Sequence, residues 1–211
     1  AWRVMRRPLL SLLVLTLLLP TAPAQRPPAP EVLTLPADIA ESTACLNPDY
    51  LLCTPALKDS SDPLPIVIYL HGGGGHGKDV MKIQGQPRGV LHGIQTFGHA
   101  PCLVVAPQVL PDAPSGERTW IPEDLDLFLE HLKETLPIDP SRIYLTGNSM
   151  GGYGTWVWAA TSPEHFAAIF PMVGGIGKGG PKDVTPDLDE WLKNLLEVPI
   201  WAFAGGQDRV C

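Results

Sequence analysis

The sequence predicts an α/β sandwich in which a mostly parallel sheet is flanked by helices. Three observations carry that expectation. First, "PIVIYLHG" (65–72), "CLVVAPQ" (102–108), "RIYLTGN" (142–148), "AAIFPMVG" (167–174) and "PIWAFAGG" (199–206) are apolar runs without alternation, the pattern of strands buried on both faces. Second, segments of helical period separate them, and such alternation places ligand sites at the carboxyl ends of the strands. Third, Gly147, Gly151, Gly152 and Gly154 crowd around Ser149 where one run gives way to a helix. Glycine inside an element costs roughly 0.5–1 kcal/mol relative to alanine, so four of them require a geometric reason.

Taken in order, residues 1–24 are expected to be a secretory signal peptide. Arg3, Arg6 and Arg7 precede the apolar stretch Leu9 to Leu19, and Ala22-Pro23-Ala24 forms a small-residue cleavage site. The apolar run is short for a membrane span of ~20 residues, and no other segment is long enough, so the mature protein is expected to be secreted or periplasmic. Residues 25–48 read as a Pro/Ala-rich linker and first strand near Glu31 to Leu35, and 49–211 as one domain. Tyr50 to Pro55 is an expected edge strand stopped by proline. Gly89 to Phe97 forms a weaker helical pattern. "PEDLDLFLEHLKETL" places Leu125, Phe128, Leu129, Leu132 and Leu136 on one stripe, with Pro122 at its start and acids in its first turn. Helices are also expected over "MGGYGTWVWAAT" and "LDEWLKNLL", and "GGIGKGGPKDVTPD" reads as a surface loop.

Composition excludes several classes. With 45% hydrophobic and 18% charged residues the chain is globular, and a net charge of −7 offers no basic footprint for nucleic acid. There is no C-x-x-C or His-rich spacing for a metal, and no G-x-G-x-x-G turn for a dinucleotide cofactor. Of the four cysteines, Cys45 and Cys53 are close enough in sequence to bridge a hairpin. Cys102 reads as a core thiol.

The chemistry concentrates in two motifs. Gly147-Asn148-Ser149-Met150-Gly151 is a G-x-S-x-G sequence between a strand and a helix, the setting of a nucleophile elbow. The competing reading makes Ser149 a plain helix N-cap. His71-Gly72-Gly73-Gly74-Gly75-His76 follows an earlier strand, where the amide of Gly73 or Gly74 would join that of Met150 as an oxyanion hole. His71 is expected to orient that loop. Asp208, just past the last apolar run, is the candidate triad acid, with Asp183, Asp187 and Asp189 as weaker competitors. His92, His99, His131 and His165 read as surface or helix-end residues, so the chain is expected to stop before its base and to be catalytically silent as it stands. Trp120 and Tyr153 are candidate pocket residues, and the neighbouring Trp156 and Trp158 read as buried core.

The blocks "PLPIVIYLHGGGGHGKD", "PIDPSRIYLTGNSMGGYGTWVWA", "PEHFAAIFPMVGG" and "PIWAFAGGQD" resemble the secreted esterase and predicted-peptidase branch of the α/β-hydrolases, which includes feruloyl-esterase-like, poly(hydroxybutyrate)-depolymerase-like and phospholipase/carboxylesterase-like proteins. The resemblance spans roughly Tyr50 to Asp208. It implies a serine hydrolase acting on carboxylic esters, small or polysaccharide-linked, through an acyl-enzyme on Ser149, with Asp208 as acid and Gly73 and Met150 as oxyanion donors. A serine peptidase of the same fold and a non-catalytic hydrolase-like binding protein are the alternatives. One departure is "FAG" before the acid where the family has "FHG", with Ala204 in place of the histidine.

Overall fold

The computed structural model describes residues 27–55, 62–97, 100–113, 116, 119–177 and 188–211. The expected signal peptide therefore lies outside the described residues, as do His99, Asp183, Asp187 and most of the glycine-rich loop. Six strands form one sheet: β1 (Glu31–Thr34), β2 (Asp49–Cys53), β3 (Leu64–Leu70), β4 (Leu103–Ala106), β5 (Ile138–Asn148) and β6 (Ala168–Met172). Their spatial order is β1-β2-β4-β3-β5-β6. The β4-β3-β5-β6 half is parallel, and β1 and β2 add antiparallel strands at one side. The helices are α1 (Ala37–Ser42), α2 (Gly85–Thr96), α3 (Pro122–Thr135), α4 (Met150–Thr161) and α5 (Leu188–Asn194).

The continuous apolar runs have a direct cause, because successive side chains of each central strand feed different cores. Ile66, Ile68 and Leu70 of β3 join Leu103 and Val105 of β4 in the main core, which takes in Leu125, Phe128, Leu129 and Leu132 of α3 and Trp158 of α4. On the opposite face Tyr69 meets Leu51, Val80, Ile83 and Ala106, while Cys53, Cys102 and Val104 pack with Leu91 of α2. Each fully buried aliphatic side chain contributes about 1.5–3 kcal/mol, so neither face can hold polar alternation.

Four expectations are corrected. Tyr50 to Pro55 does not form the edge: β2 lies between β1 and β4, because the segment before it folds back as β1. Much of the supposed linker belongs to the domain, since Leu35, Cys45, Leu46 and Asn47 are buried. It is anchored by Asp124, whose carboxylate leaves the first turn of α3 to accept the amides of Ala44 and Cys45 at 2.8–2.9 Å. Cys45 and Cys53 are buried in separate clusters and do not form the bridge that their spacing allows. Finally, 199–203 runs parallel to β6 with backbone hydrogen bonds from Ile169, Trp201, Phe203 and Val173, yet its bridges are isolated. Its Trp201 and Phe203 stack on each other in the open, with ring centroids 5.2 Å apart.

Candidate active site

Ser149 occupies the junction of β5 and α4 with φ 53° and ψ −118°. A non-glycine residue at positive φ is uncommon, and such strain of about 1–3 kcal/mol persists only where the surroundings enforce it. Here its amide donates to the Met172 carbonyl at 2.9 Å, and its carbonyl accepts from Tyr153. The hydroxyl makes no capping bond to α4, which removes the plain N-cap reading. The side chain is half-exposed, and Oγ lies 3.6 Å from Cys211 Sγ.

The crowded glycines answer to contact distance. A Cβ on Gly151 would collide with the Leu70 carbonyl, one on Gly147 with the Gly151 backbone, and one on Gly152 with the Met172 carbonyl. Helix α4 thus lies directly on the ends of β3, β5 and β6. Asn148 is held beside the serine by the Tyr69 hydroxyl, which donates to its Oδ1 at 2.6 Å. Burial pushes the Tyr69 pKa up to about 12, so it stays a donor.

The glycine loop after β3 packs on this elbow. A Cβ on Gly72 would sit 3.1 Å from Asn148 Nδ2 and 3.4 Å from Ser149 Cβ. Gly73–Gly75 form one 3₁₀ turn; Gly73 and Gly74 are exposed with open space where a side chain would be, and Gly75 lies against the His71 ring. Met150 is the first residue of α4, so its amide is at the helix N-terminus, the positive end of the macrodipole.

His71 is fully buried. Its Nε2 accepts the Val109 amide at 3.0 Å, which leaves the proton on Nδ1 to be donated to the Gly72 carbonyl at 2.7 Å. Burial lowers its pKa to about 4. Both nitrogens are engaged, so this imidazole is a brace for the loop. Trp120 packs edge-on against it and donates its indole N–H to the His71 carbonyl at 3.1 Å. Trp120 and Tyr153 are only 3% and 5% exposed, so they back the site from the core and offer little surface to a substrate.

Asp208 is exposed on the loop after 203. Its Oδ1 accepts the amides of Val210 and Cys211 at 2.8 and 3.1 Å, and these bonds lower its pKa. The same turn carries Cys211 to Ser149, so the carboxylate stands one short turn from the hydroxyl. Of the other described histidines, His131, His165 and His76 have partners, whereas His92 on α2 keeps its Nδ1 buried without a hydrogen-bond partner. His131, expected at the surface, is buried with Nε2 3.2 Å from the Tyr50 hydroxyl. His165 lies 3.5 Å from Asp126, and His76 bonds the Gly73 carbonyl. Asp189 sits in the first turn of α5. Sequence reading missed Tyr69 and Cys211; only their places beside motif residues marked them.

No family model matches the chain. It is 25% identical over 161 residues to "Probable feruloyl esterase C" of Aspergillus flavus, covering 75% of this chain and 57% of that protein. Over a shorter stretch of 47 residues it is 47% identical to "Poly(3-hydroxyalkanoate) depolymerase C" of Paucimonas lemoignei, which is 22% of this chain and 11% of that one. Among solved structures a thermostable esterase superposes with TM-score 0.55 at 26% identity, over 75% of this chain and 51% of the other. The chain spans about half the length of the feruloyl esterases it matches, 48–57%.

Proposed function

We propose that this chain, an esterase-like sequence of the α/β-hydrolase fold, is the core of an exported serine hydrolase that cleaves carboxylic esters through an acyl-enzyme on Ser149. The observation that carries the reading is the strained, uncapped Ser149 at the strand–helix junction, facing a loop of bare glycines. Its Oγ attacks the ester carbonyl. The amides of Met150 and of Gly73 or Gly74 receive the negative charge that develops on the carbonyl oxygen, and each such donor is worth about 10²–10³ in turnover. Asp208 orients an imidazole that takes the hydroxyl proton and returns it to the leaving alcohol. Because His71, His76, His131 and His165 are engaged elsewhere and His92 sits on α2, that imidazole is proposed to come from outside the described residues. The names of the relatives, a feruloyl esterase and a poly(3-hydroxyalkanoate) depolymerase, support carboxylic esters as substrates; small or polysaccharide-linked esters are the proposed class, and the proposed chemistry uses no cofactor.

In the full-length protein a fluorophosphonate probe is expected to label Ser149, and Ser149→Ala to abolish labelling and lower turnover on the order of 10⁶-fold. Labelling that survives the change would refute the assignment. Matched p-nitrophenyl esters should turn over faster than p-nitroanilides; the reverse order would favour a peptidase. The arginine-led apolar segment supports the proposed export. N-terminal sequencing of the exported protein is expected to begin at Gln25, and a product retaining Leu9 to Leu19 would contradict it.

A further inference from the structure

We infer that Gln108 is the positioning residue of the oxyanion donors, an inference that rests on the ester-hydrolase reading of Ser149. A loop of four consecutive glycines, Gly72 to Gly75, has no side chains with which to anchor itself, and glycine is the most conformationally free residue. Oxyanion donors act by being in place before charge develops. Flanking and distant side chains must therefore hold it: His71 and His76 bond the Gly72 and Gly73 carbonyls, and the side chain that holds the far end follows β4. Gln108 is fully buried. Its Nε2 donates to the Gly75 carbonyl at 2.9 Å and to the Asp79 carbonyl at 3.1 Å, bridging the end of the 3₁₀ turn to the residue that caps the next one. Gly75 in turn closes that turn by donating to the Gly72 carbonyl, which shares a peptide plane with the Gly73 amide, while the Gly73 carbonyl, in the plane of the Gly74 amide, is bonded by His76; Gln108 thus holds the end from which this turn is closed.

The direction of the amide is determined by its neighbours. The Asp49 amide donates to Asn47 Oδ1, which leaves Asn47 Nδ2 to donate to Gln108 Oε1 at 2.8 Å. The Gln108 NH₂ group must then face the loop, where two carbonyls receive its two protons. Reversal would set an oxygen against those two carbonyl oxygens. On either side the backbone adds parallel ties, with Val109 donating to His71 and Gly77 donating to the Val109 carbonyl. His71 thus braces the start of the loop, and Gln108 its far end.

The test uses the full-length protein and two variants. Gln108→Ala removes both loop bonds. Asn47→Asp conserves volume and leaves Gln108 in place, but presents an acceptor to Oε1 and so reverses the amide. Folded fraction is measured by near-ultraviolet circular dichroism, with kcat and KM for p-nitrophenyl acetate and the Ki of a phenylboronic acid, whose tetrahedral adduct occupies the oxyanion position. A donor displaced by ~1 Å costs about 10²-fold, so kcat is expected to fall 10–100-fold with KM within twofold. Boronate affinity should weaken in step. A residue serving stability alone would lower the folded fraction without this split. Folded variants that keep the wild-type kcat, a loss confined to KM, or failure of both variants to fold would each overturn the inference. A wild type lacking Ser149-dependent turnover would instead defeat the hydrolase reading, and this role with it.

Discussion

Ser149 holds an unfavourable backbone conformation, and the two partners that enforce it are the Met172 carbonyl and the Tyr153 amide. Neither depends on the hydroxyl, which makes no bond to its own helix. The strain therefore belongs to the backbone, and the hydroxyl, whose described partner is Cys211 Sγ, is not needed to hold the turn. This separation gives a prediction at the level of one residue. Ser149→Gly relieves positive-φ strain of about 1–3 kcal/mol, offset in part by the entropy glycine adds to the unfolded chain, roughly 0.4–1 kcal/mol. The variant is expected to be inactive yet to unfold at equal or higher urea than the parent. A clear drop in midpoint would show that the serine side chain, not the fold around it, sustains the elbow.

Helix α4 is buried nearly all round and touches β3, β5 and β6 at their carboxyl ends. Helix, strand and loop backbones meet there without side chains between them. The element-scale prediction concerns this contact. A methyl group at Gly151 would overlap the Leu70 carbonyl, and backbone cannot rotate away as a flexible side chain can. Forced overpacking of this kind costs typically 1–3 kcal/mol. Gly151→Ala should lower the denaturation midpoint accordingly, whereas Gly73→Ala, with nothing within 4 Å, should not. Equal midpoints for the two variants would mean that α4 has room to shift. The 71–79 loop is positioned differently, by polar ties to Val109 and Gln108, so its precision depends on a buried hydrogen-bond network where α4 depends on contact.

Across the whole molecule the buried imidazole of His71 makes stability sensitive to acid. Its folded pKa is lowered to about 4 by burial, while the unfolded side chain titrates near 6.5. Below pH ~6.5 the unfolded chain takes up a proton that the native state refuses until about pH 4. Stability is therefore fully present above ~6.5 and declines as pH falls toward 4, by up to about 3 kcal/mol at 1.36 kcal/mol per pKa unit. His131 is shifted in the same direction, whereas Asp139 and Asp208, with lowered pKa values, act at lower pH. The comparison to make is urea unfolding of wild type and His71→Asn at pH 7 and 4.5. The variant is expected to lose less stability between the two; identical losses would show that His71 is not neutral in the native state. No helix among the described residues is long and apolar enough to cross a membrane.

The sheet, its parallel half and the strand–helix junction at Ser149 were readable directly from the sequence because each leaves a local trace. Burial on both faces makes a strand apolar throughout, and backbone contact between α4 and the strand ends admits only glycine at Gly147, Gly151 and Gly152. Strand neighbours were not readable: nothing within Tyr50 to Pro55 says that β1 will cover it, since the covering chain lies outside the strand. The long-range polar ties of the site and of the domain were hidden for the same reason. Tyr69 meets Asn148 across 79 residues, Gln108 meets Gly75 across 33, and Asp124 meets Ala44 across 80. A polar side chain that bonds a distant backbone has no period and no motif, so only the folded chain, by bringing its partner to within 3 Å, distinguishes it from a residue facing water.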